Sequence, residues 1–379
     1  MFLLALSREE IELTAAVSGK SAAASFARVA MLAVLAVGAA AAQALSKGNG
    51  DLRVMTYNVN EGTDYIEVQQ ALGELPFLYA VGQTIAQIRA NEPRERMKAI
   101  AHQIVDASPA LVSLQEVDRI SSGVFNPATG ACGPMTLEFD MLQDLLDALG
   151  AQGAHYTVAV QQQQYAIPPL PGLLPSSGFF CASLVNTVVI LARTDLKSSR
   201  FEWSNPRSAN YENRLIFPTP IGLLPLPRAW VSVDATFNGK GFRFIGTHLE
   251  SADSTLRRLQ GMELRSGPAS TTMPVVIAMD SNAQAAPLPL DAAYVDFIGA
   301  GYGDAWVASA PPAAGFTCCQ AQLSNNVVSQ LTQRIDLILT HGPITTQRIE
   351  LFGADPADKT PAGFWPSDHA GVAAQLLVQ

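Results

Sequence analysis

The chain is expected to fold as two β-sheets packed face to face with helices on the outside, a mixed α/β (α+β) architecture. Short Val- and Ile-rich runs of strand length recur from Arg53 to the end of the chain. One pair of such runs, 230–237 and 240–247, alternates apolar and polar residues across Asn238-Gly239. That is an antiparallel hairpin, so a purely parallel, doubly wound sheet is excluded. Helical periodicity is scarcer: three segments carry it, against nine or more strand-like runs.

The first helix is expected over 93–107, where Met97, Ile100, Ala101, Ile104 and Val105 follow helical spacing and Pro93 occupies the first turn. Leu137, Met141, Leu142, Leu145 and Leu149 mark a second. A third begins at Ser254 and runs through Leu256, Leu259 and Leu264 to Gly267. Further strands are expected at 156–160, 187–191 and 372–377. Two stretches, 166–175 and 217–227, read as loops, because their proline density forbids regular helix. Their leucines are costly to expose. Either they pack on each other or on a rim, or they form an apolar surface for a substrate or a membrane.

The chain has 379 residues, 48 % apolar and 15 % charged, a globular rather than a disordered composition. Its 24 Lys and Arg against 33 Asp and Glu give a net charge of −9, so there is no general basic footprint for polyanions. Residues 1–44 differ from the rest: Lys20 and Arg28 precede an apolar stretch at 29–38, and Ala42-Gln43-Ala44 offers a small-x-small cleavage pattern. This reads as a signal peptide, with a retained N-terminal anchor as the other reading. The expected organisation is a targeting segment over 1–44, a linker over 45–51 and one domain over 52–379, placing the mature protein outside the cell or in a periplasm. Four cysteines suit that compartment. Cys132 with Cys181 is the favoured disulfide, leaving Cys318 and Cys319 either joined as neighbours or free.

Five of the strand-like runs carry chemistry. Four end in a carboxylate, amide or imidazole: Asn58, Gln115-Glu116, His248, and Asp280 with Asn282 two residues on. The fifth carries Asp336 between Ile335 and Leu337, where an unpaired carboxylate would be costly. Ser367-Asp368-His369 closes the series. Each motif alone is weak, but the ordered set resembles the endonuclease/exonuclease/phosphatase superfamily, the deoxyribonuclease-I-like fold, from Leu52 to the C-terminus. Met279 and Ser281 depart from the family's usual Gly and Phe, while Asp280 and Asn282 are kept.

The resemblance implies a four-layer α/β/β/α sandwich of two mixed sheets with the site at one edge. It also implies Mg²⁺ or Mn²⁺ held by Glu116 with Asn58 and Asp368 close by, which suits a hard cation's preference for oxygen ligands. Asp280 would deprotonate the attacking water, with Asn282 bonding the water or the phosphate. His369, oriented and kept cationic by Asp336, would contact the phosphate oxygens, and His248 the phosphate or leaving group. Asn186, with Asp64 and Tyr165, is a further candidate for reaching substrate. His102, His155 and His341 match no motif and are expected to be structural or solvated.

The activity implied is a secreted, metal-dependent phosphodiester hydrolase. Extracellular nucleic acid and phospholipid head groups are nearly equal substrate candidates, with membrane contact through the Pro/Leu segments and no protein partner indicated. A catalytically silent binding module and a phosphomonoesterase are the alternatives on the same fold.

Overall fold

A computed structural model describes residues 51–220 and 222–379. The expected targeting segment, and all of the expected linker but Asp51, lie outside the described residues.

Strand β1 (Leu52–Asn58) leads into three helices, α1 (Ile66–Gln70), α2 (Glu74–Ala90) and α3 (Pro93–Ala107). The strands β2 (Leu111–Asn126) and β3 (Ala131–Asp140) follow, then α4 (Met141–Ala151) and the strands β4 (Tyr156–Leu174) and β5 (Gly178–Arg193). Five more strands come in succession: β6 (Phe201–Asn210), β7 (Leu215–Thr219), β8 (Gly222–Leu226), β9 (Ala229–Phe237) and β10 (Lys240–His248). The C-terminal part runs α5 (Ser254–Ser266), β11 (Val275–Asp280), α6 (Ala292–Gly299), β12 (Gly303–Asp304), α7 (Ala305–Ser309), β13 (Asp336–His341), β14 (Ile344–Phe352) and β15 (Gly371–Val378).

Two mixed sheets carry the fold. The first runs β14-β15-β1-β2-β5-β4 with β3 added to β2, the second runs β12-β13-β11-β10-β9-β6, and β7-β8 forms a separate ribbon. Apolar side chains alternate between two packing layers along each central strand. On β1, Val54 joins Leu111, Val233, Phe244, Val276 and Ile338 between the sheets, while Met55 and Tyr57 face Met97, Ile100 and Ile104 of α3 and Leu145 and Leu149 of α4. Ile245, Ile277 and Leu339 of the second sheet cover Leu264 of α5 and Phe297 of α6. The order is therefore helix, sheet, sheet, helix. Strands buried on both faces explain why these runs are apolar throughout rather than alternating.

The hairpin forms as expected: Asn238 and Gly239 both adopt positive φ, and Lys240 pairs with Phe237. Helix α3 has Pro93 at its start, and α5 is capped by Asp253, whose carboxylate accepts the N–H groups of Thr255 and Leu256. The second expected helix is shorter than its leucine pattern suggested. It starts at Met141 behind the N-cap Asp140, and Leu137 lies on β3, half exposed. The two proline-rich stretches are strands rather than loops. Residues 166–174 extend β4, an edge strand with a register break between Ile167 and Leu170, where prolines cost no ladder bond. Residues 217–219 and 222–226 fall on β7 and β8, which pair only with each other. Cys132 and Cys181 are bridged across β2, with a Cα–Cα distance of 5.8 Å, and Cys318 is joined to its neighbour Cys319.

Register sets the site. Parallel pairing puts Asn58 beside Gln115 and His248 beside Asp280, and antiparallel pairing puts Asp280 beside Asp336. Antiparallel β15 begins at Gly371, just after His369, next to the end of β1. All the marked strand ends thus converge on one rim. The sheets approach closely beneath it: a Cβ on Gly246 would lie 2.5 Å from Ser113 Oγ and 3.2 Å from Val231 Cγ2. Gly246→Ala should therefore cost about 1–3 kcal/mol by overpacking, measured by urea unfolding; an unchanged midpoint would show that the sheets are not in tight contact there.

Candidate active site

Asp280 stands at the centre of the rim, buried at the end of β11. Asn58 Nδ2 donates to its Oδ2 at 2.9 Å and to Glu116 Oε1 at 2.9 Å, so one amide joins the two sheets. The Asn282 N–H donates to Asp280 Oδ1 at 2.9 Å. His248 Nε2 lies 3.3 Å and His369 Nε2 3.9 Å from Asp280 Oδ2. His369 Nδ1 meets Asp336 Oδ2 at 2.8 Å. Asn282 Nδ2 donates to the Leu249 carbonyl at 3.0 Å and lies 3.0 Å from His248 Nε2. The seven residues Asn58, Glu116, His248, Asp280, Asn282, Asp336 and His369 thus form one contact network.

Local backbone geometry aims two of them. Glu116 has φ 58° and sits in a break of the β2–β5 register between Leu114 and Val117. A bulge of this kind turns a side chain out of the pleat, here toward the rim. Asn282, with φ 48°, brings its amide back over His248. Asp368 is half-buried beside them, its main chain held by Gln320 and its neighbour Ser367 bonded to the Asn58 carbonyl.

Electrostatics divides the groups. Burial, followed by the charge of Asp336, raises Asp280 to about 6. Burial and then Asp368 push Glu116 up. Burial alone would lower His369, but Asp336, Asp368 and Asp280 outweigh it and hold the imidazole well above its ordinary range, cationic at neutral pH. His248 moves the other way: burial and then the charges of Arg228 and His369 keep it neutral. Among the described residues, Glu116, His248 and Asp280 can each offer one ligand atom, all within 4.8 Å of one another.

Asn58 Oδ1 accepts the Asn60 N–H at 3.0 Å while its NH₂ donates to Glu116 and Asp280, so in this arrangement it aligns both carboxylates. Asn186 differs from its expected part. It is fully buried, donating to Asp118 Oδ1 at 2.8 Å and Glu61 Oε2 at 3.2 Å while accepting from Gln164, and it orders carboxylates instead of facing the cleft. Of its companions, Tyr165 donates to Glu61 at 3.0 Å and Asp64 caps Ile66 and binds Gln322. His102 pairs with Asp106 on an exposed helix face, and His341 stacks on Tyr302.

Several residues were not found from the sequence. Arg228 Nη1 lies 3.1 Å from His248 Nδ1, and its Nη2 donates to Ser251 at 3.1 Å. Arg96 is fully buried and donates to the carbonyls of Val59, Asn60, Asn91 and Pro366 at 2.7–3.1 Å, tying the loop after β1 to the segment before Asp368. Glu61 and Asp118 form a second acidic layer behind Glu116. Burial and then Glu116 raise Glu61 to about 8; burial and then Glu61 raise Asp118 well above its ordinary value. Asp118, two residues past Glu116 in a buried strand, carries the same cue that singled out Asp336.

A carboxyl raised from 4.5 to about 8 binds its proton more tightly in the folded state. Its contribution is full below the unfolded value and is lost as pH rises toward 8. In EDTA, Glu61→Gln should therefore melt several degrees above the wild type at pH 8, with the gap closing toward pH 4.5. An equal gap at both values in thermal denaturation would contradict the assignment.

Residues 55–369 match the model of the Endonuclease/Exonuclease/phosphatase family. Among solved structures, the chain is similar to an endonuclease/exonuclease/phosphatase family protein from Leptotrichia buccalis C-1013-b, at 14 % identity and TM-score 0.52, covering 86 % of this chain and 99 % of that one. A family protein from Bacteroides thetaiotaomicron gives 17 % identity and TM-score 0.51 over 87 % and 98 %. The endonuclease/exonuclease/phosphatase from Bacteroides vulgatus gives 16 % and 0.50 over 87 % and 99 %. Likeness at these identities speaks for the fold alone, and no curated protein matches the chain. With the family match running from the first strand through the last residue of the rim, the chain belongs to the Endonuclease/Exonuclease/phosphatase family.

Proposed function

We propose that this chain is a secreted, divalent-metal-dependent phosphodiesterase that hydrolyses its substrate by in-line attack of water. Members of its family are hydrolases acting on phosphoester bonds. The observation that carries the reading is Asp280 at the meeting point of Asn58, His248 and His369, with Glu116 and Asp368 beside it.

The donor set suits Mg²⁺ or Mn²⁺. Glu116 is pushed up by burial and by Asp368, a sign that the carboxylates lack sufficient counter-charge, and oxygen donors favour a hard cation. Glu116 and Asp368 would hold the ion, with Asn58 fixing the Glu116 side chain. When bound, the ion supplies charge neutralisation at the phosphoryl oxygens.

The chain's own groups supply the rest. Asp280, raised to about 6, is largely ionised at neutral pH yet basic enough to take a proton from water. The Asn282 N–H fixes one of its oxygens, leaving the direction of the other set by Asn58. His369 uses Nδ1 on Asp336 and turns Nε2 toward the rim, where a cationic N–H would donate to a non-bridging phosphoryl oxygen. Neutral His248, 3.3 Å from Asp280, and cationic Arg228 beside it would meet the phosphate or the leaving oxygen.

Export is supported by the Cys132–Cys181 bridge, which suits an oxidising compartment. No helix among the described residues is long and apolar enough to cross a membrane. Nucleic acid and phospholipid head groups are both compatible with the reaction class.

With MgCl₂, Asp280→Ala should lower kcat on bis-p-nitrophenyl phosphate by roughly 10²–10⁴-fold while the variant still unfolds in a cooperative melting transition. A folded variant with near-native turnover would remove Asp280 from the mechanism. Asp336→Asn should also lower kcat, and the double variant should lose far less than the product of the two effects, because both act on one proton-transfer and charge-stabilising unit. Fully multiplicative losses in the same assay would show that they act independently.

A further inference from the structure

Beside the rim lies a cavity of about 720 Å³, within the roughly 300–1,000 Å³ span of small-molecule sites. One end is made by the polar groups already described: Glu116, Arg228, His248, Asp280, Asn282 and His369. Most of the remaining lining is apolar, with Asp64, Gln69, Thr84 and Ser183 set among it. Ile85 of α2, Ile167 of β4, Leu184 of β5 and Phe217, Leu224 and Leu226 of the β7–β8 ribbon form its walls. The ribbon is built for this: Phe217 pairs with Leu224 and Leu215 with Leu226, so one face turns these half-buried side chains inward.

The charges narrow the occupant. Among the described residues lining the cavity, Arg228 is the sole Lys or Arg. A polymer with many phosphates gains most of its affinity from several such contacts. A ligand with one phosphoryl group and an apolar remainder needs a single cationic end and a hydrocarbon wall. The cavity presents both.

Building on the phosphodiesterase reading, we propose that this cavity receives the hydrocarbon part of an amphiphilic phosphoester. The phosphoryl group lies between Arg228 and Asp280, and an aliphatic chain extends between α2 and the β7–β8 ribbon. The proline-rich sequences of β4 and β7–β8 then serve as walls of a substrate site.

Ethyl-, hexyl- and decylphosphonate, titrated below micelle formation in MgCl₂ by calorimetry, test this directly. Affinity should rise with chain length, by up to roughly fourfold per buried methylene. Leu224→Asp on the ribbon and Ala182→Phe in the cavity wall should abolish that rise while leaving ethylphosphonate binding unchanged, each variant first checked for a native melting curve. Decanol, lacking the phosphoryl end, should bind far more weakly than decylphosphonate. Equal affinities across the wild-type series, no binding, or decanol matching decylphosphonate would each overturn the proposal. Hydrolysis of bis-p-nitrophenyl phosphate by the same preparation separates the two readings. Turnover with a flat series removes the apolar subsite and keeps the phosphodiesterase, whereas a rising series without turnover keeps the subsite and removes the hydrolase.

Discussion

Carboxylates crowded into a buried rim are the constraint around which this molecule is arranged. Glu116, Asp280, Asp336 and Asp368 are brought together where the two sheets meet, with Glu61 and Asp118 behind them. Like charges in a poorly solvated place repel and lose hydration, so each must share a proton, gain a donor or gain a cation. All three solutions are present. Glu61 and Asp118 are raised, Asn58 donates to two carboxylates at once, and His369 carries the positive charge beside Asp336. Glu116, beside Asp368, remains under-compensated, which is the situation a divalent ion relieves.

The sandwich makes such crowding affordable because its backbone is fixed on both faces. Residues on β1, β10, β11 and β13 are locked into register by ladders whose side chains pack against the opposing sheet and against α3, α4, α5 or α6. A one-residue slip in any of them would turn its rim residue to the other face. Arg96 adds a polar clamp. Although burial lowers it to about 10, it remains charged, and its bonds to four carbonyls hold the two loops that carry Asn60 and Asp368. The placement of the rim residues therefore depends on packing far from them.

The core strands and the residues of the rim were legible in the sequence because both leave local marks. A strand buried on two faces is an apolar run, and a polar residue at its end is conspicuous. The Asn-Gly turn, Pro93 and Ser254 mark boundaries in the same local way. What escaped was set by tertiary context. No sequence period shows that β2 carries a bulge at Glu116, nor that Arg228, just before β9, will reach His248 across the strand pair. Proline density suggested loops at 166–175 and 217–227, yet an edge strand and an isolated ribbon have free backbone on one side and accept proline there. Leu137 fits the leucine spacing of α4, but the Asp140 cap starts that helix later. Asn186 was a candidate for substrate contact, and only the fold shows its amide committed to Asp118 and Glu61.

The claim that this rim is short of positive charge until a divalent ion binds is tested most directly by thermal denaturation in MgCl₂ and in EDTA at pH 8, for the wild type and Glu116→Gln. Binding to the native state alone must raise the melting temperature of the wild type. In EDTA, Glu116→Gln should melt above the wild type, because it removes a buried like charge, and Mg²⁺ should leave it nearly unmoved. A wild type indifferent to Mg²⁺, or a Glu116→Gln protein that gains as much from the ion as the wild type does, would contradict the account.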